Sequence, residues 1–236
     1  MPGRQRENQQ VSIVASKQLT RPEAVIFDWD GTLADNWGAI ERSLNATFSR
    51  FCLPVWSKEE VRARTTASAR DAFPELFGNN WEAAMTFFYE RFEEYHVDEV
   101  RPLPGAEDLL NVLSKEYVQI ALVSNKTGQY LRAEAERLGW AEKFRNIVGA
   151  TDAVRDKPAP DPVHLALAGT GIRAGEKVWF VGDSVSDLEC AHKTACIPIL
   201  VEGGSVTAQD LVDWPPRAVV DSCSNLIDVF MGCGHA

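Results

Sequence analysis

The chain has 236 residues, 45% hydrophobic and 25% charged, the composition of an ordinary globular protein with one large domain or a domain carrying a sizeable insert. A net charge of -10 and a pI near 4.9 argue against a broad nucleic-acid or membrane-binding face, which needs basic surface. Five scattered cysteines, an odd number, make no disulfide framework, and no apolar run is long enough to span a bilayer, so the expected location is the cytoplasm.

Residues 1–21 contain no apolar signal core and are expected to form a disordered tail. The run Ala24-Val25-Ile26-Phe27 then has the pattern of a strand buried on both faces. It ends in Asp28-Trp29-Asp30-Gly31-Thr32, where Gly31 breaks the strand into a loop. Strand alternation puts Asp28 and Asp30 on one side with Trp29 pointing away. Two carboxylates at the tip of a central parallel strand stand where open α/β sheets place ligands. Such a pair repels itself unless a metal ion neutralises it or one member keeps its proton. One carboxylate can then attack as a nucleophile while its neighbour trades a proton with the leaving group. The plainer alternative is an Asp-rich turn.

Asp35 or Asn36 can cap a helix carrying Ile40, Leu44, Phe48 and Phe51, and Ser57 to Glu60 has capping-box spacing for a second. A third is predicted over Ser68 to Phe77, with Pro74 near its first turns or kinking it, and a fourth from Trp81 to Tyr95, capped by Asn80. No strand pattern appears between Trp37 and Val97, so residues 37–100 read as an all-helical insert between core segments 22–36 and 101–236. Arg101 to Gly105, stiffened by Pro102 and Pro104, reads as the return hinge. Beyond it the chain becomes regular. Strands are predicted at Val118 to Val123, Asn146 to Val148, Lys177 to Val181, Ile197 to Val201 and Ala218 to Val220, separated by helices. The fold class is therefore α/β: a doubly wound parallel-sheet, Rossmann-like core with an inserted helical cap. Polar residues gather after the strands at Asp28/Asp30, Ser124/Asn125 and Asp183/Asp187, which a parallel sheet brings together.

Four separated stretches, holding Asp28 to Thr32, Ser124-Asn125, Lys157 and Gly182 to Asp187, resemble the motifs of the haloacid dehalogenase-like hydrolase superfamily. The layout from Glu23 to Val201 resembles its phosphoglycolate-phosphatase branch. The resemblance implies that Asp28 attacks phosphorus to become an aspartyl-phosphate and that Asp30 protonates the leaving alcohol, then deprotonates water. It implies that Thr32, Ser124 and Asn125 hydrogen-bond phosphate oxygens and that Lys157 balances charge. It also implies a Mg²⁺ site made by Asp28, the backbone carbonyl of Asp30 and Asp183, with Asp187 holding a metal-bound water or Lys157. The physics agrees, because phosphoryl transfer depends on electrostatic stabilisation, and Mg²⁺ takes hard oxygen ligands.

By position, Arg64 to Arg70 resembles the cap's specificity loop, with Thr66 and Ala67 where related caps often carry glycine. Arg70 is expected to meet a carboxylate or second phosphate on the substrate, against the plainer reading of a solvated helix arginine. The expected activity is Mg²⁺-dependent hydrolysis of a small phosphomonoester, phosphoglycolate leading. A β-phosphoglucomutase-like phosphotransferase is the rival within the enzymes. A phospho-accepting signalling domain is the rival from another class, opposed by Asp30 and the helical insert.

Overall fold

Val25 and Phe27 belong to one buried cluster and Ala24 and Ile26 to another, on the opposite face of the strand, and none of the four is more than 1% exposed. The computed structural model describes residues 19–234. Its first core strand, β1 (Ala24–Phe27), is followed by β2 (Ala34–Asp35) and the helices α1 (Trp37–Arg50), α2 (Lys58–Arg64), α3 (Ala69–Phe77), α4 (Trp81–Glu93) and α5 (His96–Glu99). The chain returns through β3 (Arg101–Pro102) and continues as α6 (Ala106–Lys115), β4 (Gln119–Thr127), α7 (Gly128–Arg137), β5 (Ile147–Ala150) and α8 (Asp161–Ala166). It ends with β6 (Val178–Gly182), α9 (Val185–Lys193), β7 (Ile197–Val201), α10 (Ala208–Asp213), β8 (Ala218–Val220) and α11 (Cys223–Met231).

Six strands form one parallel sheet in the order β5-β4-β1-β6-β7-β8. The chain winds outward from β1 to one side through β4 and β5, then crosses to build the other side. That reversal leaves a crevice at the carboxyl ends of the strands beside β1. Helix residues Leu109, Leu110, Leu131, Leu226 and Phe230 cover one face of the sheet, and Val163, Ala166, Cys190 and Ala191 cover the other. Burial on both faces explains why β1 and β6 read as unbroken apolar runs.

The cap has its own aromatic core. Phe48 stacks on Phe77 with centroids 5.5 Å apart, and Phe73 meets Phe88 edge-on at 5.4 Å. Tyr130 of α7 joins this cluster, so cap and core share packing. The linkers also pair with each other, Ala34 with Pro102 and Asp35 with Arg101, as a two-stranded antiparallel ribbon. Sequence pattern did not reveal this ribbon, because two residues per strand carry no periodicity. Ser57 and Glu60 form the expected capping box and Asp35 Oδ1 accepts from the Trp37 amide at 3.1 Å, whereas Asn36 and Asn80 make no side-chain cap bond. Pro74 lies within α3.

The folded structure begins ahead of residue 22. Leu19 is buried, Thr20 bridges Gly234, and Arg21 pairs with Glu116 and stands over the Phe230 ring. These contacts remove three residues from the expected disordered tail, whose residues 1–18 lie outside the described part. Among the described residues no helix is long and apolar enough to cross a membrane. Leu110 is fully buried between α6 and the sheet. Leu110→Ala should lower the unfolding free energy by about 2–5 kcal/mol, measured by urea denaturation, through lost burial and the cavity left behind.

Candidate active site

Strand register sets the heights of the polar residues. Phe27 pairs with Leu122 and with Val181, so Asp28 emerges level with Val123 of β4 and Gly182 of β6. Ser124 and Asp183 come one residue later on the two flanking strands. All three are buried at the carboxyl edge of the sheet. Ser124 and Asn125 lie within β4, which runs to Thr127 through a register irregularity, and not beyond a strand ending at Val123. Lys157 arrives from the loop between β5 and α8. Its ammonium donates to Asp28 Oδ1 and to Asp187 Oδ1, both at 2.7 Å. The other oxygen of Asp187 accepts from the Ser184 amide at 3.0 Å and hydroxyl at 2.6 Å, which closes a capping box at the start of α9.

Carboxylate oxygens of Asp28, Asp183 and Asp187 all lie within 4.8 Å of one another. Like charges at about 4 Å repel by on the order of 4 kcal/mol at an effective dielectric near 20. Lys157 bonds Asp28 and Asp187 directly and relieves Asp183 only through its charge, with no ion pair. Burial pushes the Asp183 carboxyl well above its ordinary pKa, and the charges of Asp28 and Asp187 add to the rise. Burial also raises Asp187, against the pull of Lys157. Burial alone would lower the Lys157 pKa, but Asp187 and Asp28 outweigh it and hold the ammonium charged. Hard oxygen donors, surplus negative charge and one carboxylate without an ion pair fit a divalent cation. Two glycines admit Asp183 to this place. A Cβ on Gly31, whose φ is +87°, would stand 2.1 Å from Asp183 Oδ2, and one on Gly204 would stand 1.9 Å from the Asp183 carbonyl.

Asp30 faces a second set of charges. Its carboxylate bonds Lys126 at 2.9 Å, and Lys126 also bonds Glu134 at 2.6 Å. Burial raises the Asp30 pKa to about 7 in spite of Lys126, with Glu134 and Asp28 contributing to the rise. Burial would lower the Lys126 pKa, but Asp30 and Glu134 carry it above its ordinary value. Neither Lys126 nor Glu134 emerged from the sequence reading. The available signals were a lysine directly after Ser124-Asn125 and an acid inside the buried Leu131–Ala135 stripe of α7.

Between sheet edge and cap lies a cavity of about 360 Å³. Asp28, Asp30, Thr32, Ser124, Asn125, Lys157 and Asp183 line its floor, while Trp37, Leu44, Phe73, Tyr89 and Thr66 belong to the cap side. Thr32 is fully buried, and neither its hydroxyl nor Asn125 Oδ1 has a hydrogen-bond partner among the described residues. Asn125 Nδ2 donates to the Thr66 carbonyl at 2.8 Å and the Lys157 carbonyl at 3.2 Å, so it ties the cap loop to the core.

Arg70 requires a correction. It does not line the cavity: its guanidinium makes a two-pronged pair with buried Asp156, at 2.9 Å through Nε and 2.7 Å through Nη2, and also reaches the Val154 carbonyl. The planar fork that suggested a substrate carboxylate has found one on the protein's own core.

The model of the haloacid dehalogenase-like hydrolase family matches residues 25–201. The N-acetylmuramic acid 6-phosphate phosphatase of Pseudomonas aeruginosa is 30% identical over 218 residues, covering 89% of this chain and 95% of that protein. A phosphoglycolate phosphatase of Chromobacterium violaceum is 29% identical, covering 82% and 90%. In fold, the chain is similar to a haloacid dehalogenase-like family hydrolase from Streptococcus pneumoniae, with TM-score 0.77, 22% identity and coverage of 90% and 98%.

The crowding at Gly31 yields a direct test. Gly31→Ala should displace the Asp183 carboxylate and weaken divalent-cation binding by roughly 10–100-fold, as loss of an orienting contact does in metal sites, read by calorimetric titration.

Proposed function

The chain belongs to the haloacid dehalogenase-like hydrolase family, and from that footing we propose that it is a Mg²⁺-dependent, cytoplasmic phosphatase that cleaves a small phosphomonoester through an aspartyl-phosphate. The observation carrying this reading is the triad of buried carboxylates Asp28, Asp183 and Asp187, two of them sharing Lys157, at the edge of a capped cavity. The five free thiols suit a reducing compartment.

In the proposed reaction, one oxygen of Asp28 attacks phosphorus while Lys157 holds Oδ1. The phosphorus–oxygen bond to the leaving group breaks as the bond to Asp28 forms. Asp30 gives its proton to the departing alkoxide, and its raised pKa makes a proton available near neutrality. Asp30 then takes a proton from water as that water attacks phosphorus, releasing inorganic phosphate and restoring Asp28. Thr32 and Ser124 hold phosphate oxygens, and Thr32 has a buried hydroxyl free to do so, whereas the amide donors of Asn125 are already given to the Thr66 and Lys157 carbonyls. Lys157 balances the charge of the transferring group. Asp28, Asp183 and the backbone carbonyl of Asp30 would hold the Mg²⁺, which would supply Lewis-acid neutralisation of the phosphate. Asp187, already bonded to Lys157 and Ser184, keeps that lysine aimed.

Phosphoglycolate is the leading single substrate from the sequence. A second reading is a bulkier sugar phosphate, favoured by a cavity whose volume falls within the range that holds drug-sized ligands. The deciding assay measures phosphate release from glycolate phosphate, N-acetylmuramic acid 6-phosphate and a hexose phosphate. Interconversion of sugar phosphates without net phosphate release would instead establish a phosphotransferase.

Hydrolysis should vanish with chelator, return with Mg²⁺ and return poorly with Ca²⁺, whose looser coordination disturbs alignment. Full activity in chelator would refute the metal assignment. Asp28→Asn should abolish turnover because an amide cannot form the covalent intermediate. Asp30→Asn should keep cation binding yet lose roughly 10²–10⁴-fold in rate on an alkyl ester, measured in the steady state.

A further inference from the structure

Glu134 has no part in the steps above, yet it is the most heavily bonded acid near the site. Its side chain is fully buried on α7. Oε2 accepts from the Trp29 indole at 2.7 Å and from Lys126 at 2.6 Å. Oε1 accepts from Asn36 Nδ2 at 2.8 Å and stands 3.0 Å from His96 Nδ1. These partners come from four different places. Trp29 lies between Asp28 and Asp30. Lys126 follows Asn125 on β4 and also bonds Asp30. Asn36 is the last residue before α1 of the cap, and His96 opens α5, the last cap helix. Asn36 Nδ2 donates to the His96 carbonyl as well, at 2.9 Å, so the two ends of the cap are tied where they meet Glu134.

A carboxylate needed only to neutralise Lys126 would not require this division of labour. One oxygen serves the loop of front carboxylates and the other serves the two ends of the cap. The side chain of Asn36, at the N-cap position, is given to this cluster instead of capping its own helix. Lys126 also lies 5.5 Å from the ring centroid of Phe92 in the cap, so the ammonium too faces both bodies. In a close-packed, fully bonded cluster, displacement of one member moves the others.

We propose that Glu134 is a positioning residue that joins cap placement to the alignment of Asp30. Through Lys126 it aims the Asp30 carboxyl at the leaving-group oxygen, and through Asn36 and His96 it fixes both cap ends. The proposal rests on Asp30 serving as the proton donor. A misplacement of about 1 Å at such a site can cost on the order of 100-fold in rate.

The test uses the full chain with Mg²⁺ and two esters, glycolate phosphate with its poor alkoxide leaving group and p-nitrophenyl phosphate, whose leaving group needs no proton. Glu134→Gln keeps size but replaces one acceptor oxygen by a donor. It should lower kcat on the alkyl ester by at least about tenfold and on the aryl ester by no more than about threefold. Lys126→Met should lower the alkyl rate similarly, and the double variant should be no slower than the slower single variant, because both act through one chain of bonds. Independently of turnover, any folded Glu134→Gln protein should show amide hydrogen exchange about tenfold faster in residues 33–36 and 100–103. Equal losses on both esters, an unchanged alkyl rate, additive double-variant losses or unchanged linker exchange would each overturn the proposal. If Glu134→Gln fails to fold, Lys126→Met and its alkyl-to-aryl ratio decide instead, a flat ratio counting against it. A parent chain inactive on every ester refutes the phosphatase reading, and linker exchange then still decides the role of Glu134 in fixing the cap.

Discussion

One lysine shared between two buried carboxylates, with a third beside them, is the constraint on which the rest of the structure depends. Lys157 reaches Asp28 and Asp187 at 2.7 Å each, and Asp183 completes the group within 4.8 Å. Crowding acids in this way opposes folding unless charge is returned to them, so the arrangement is costly to the empty protein and suited to binding. That cost explains local features that stability alone would not select. Gly31 and Gly204 give up side chains so that Asp183 can sit against their backbones. The first turn of α9 is built so that Ser184 occupies the outer oxygen of Asp187, leaving the inner one for Lys157.

The sheet supplies the rigidity that this crowding demands. Asp28, Ser124 and Asp183 hang from three adjacent central strands whose apolar residues are buried on both faces. Movement of any of the three would require sliding a strand against two packed helix layers. The cap is attached differently. Its linkers form only a short ribbon, and its polar contacts with the core include Arg70 to Asp156, Asn125 to Thr66, Tyr89 to Thr127 at 2.6 Å, Tyr130 to Glu93 and His96 to Glu134. A short hinge suits rigid-body motion of a cap whose aromatic cluster takes in one ring of the core, Tyr130.

Near the cap hinge is a second buried cluster of charge, Asp30, Lys126, Glu134 and His96, beneath the aromatic rings of Phe92 and Tyr130. Burial would raise the Glu134 pKa, but Lys126 and the hydrogen bonds from His96 and Trp29 bring it below the ordinary value. Glu134 is thus an anion held by donors from both cap and core. Beside it, burial drives Asp30 in the opposite direction. Two acids served by one lysine are pushed apart in proton affinity, the pattern that separates fixed charges from exchangeable protons at reactive sites.

Residue order and type alone determined the parallel sheet, the inserted helices and the gathering of Asp28, Asp30, Ser124, Asn125, Asp183 and Asp187 at one edge, while Lys157 joined them through the family resemblance. Buried strands must be apolar, and the polar residues that end them stand out against that background. Only the tertiary structure decided which charges meet which. Arg70 and Asp156 are 86 residues apart and Trp29 and Glu134 are 105 apart, separations at which no local periodicity connects two residues. Arg70 read equally well as a substrate ligand or a solvated side chain until Asp156 was found to occupy its fork. Glu134 read as one more helix acid, because its meaning comes from four donors on separate segments. Local pattern records what a residue must be buried against or exposed to. The pairing of buried charges is a property of the closed fold, where distance and low dielectric, and not neighbourhood in the chain, set the energy.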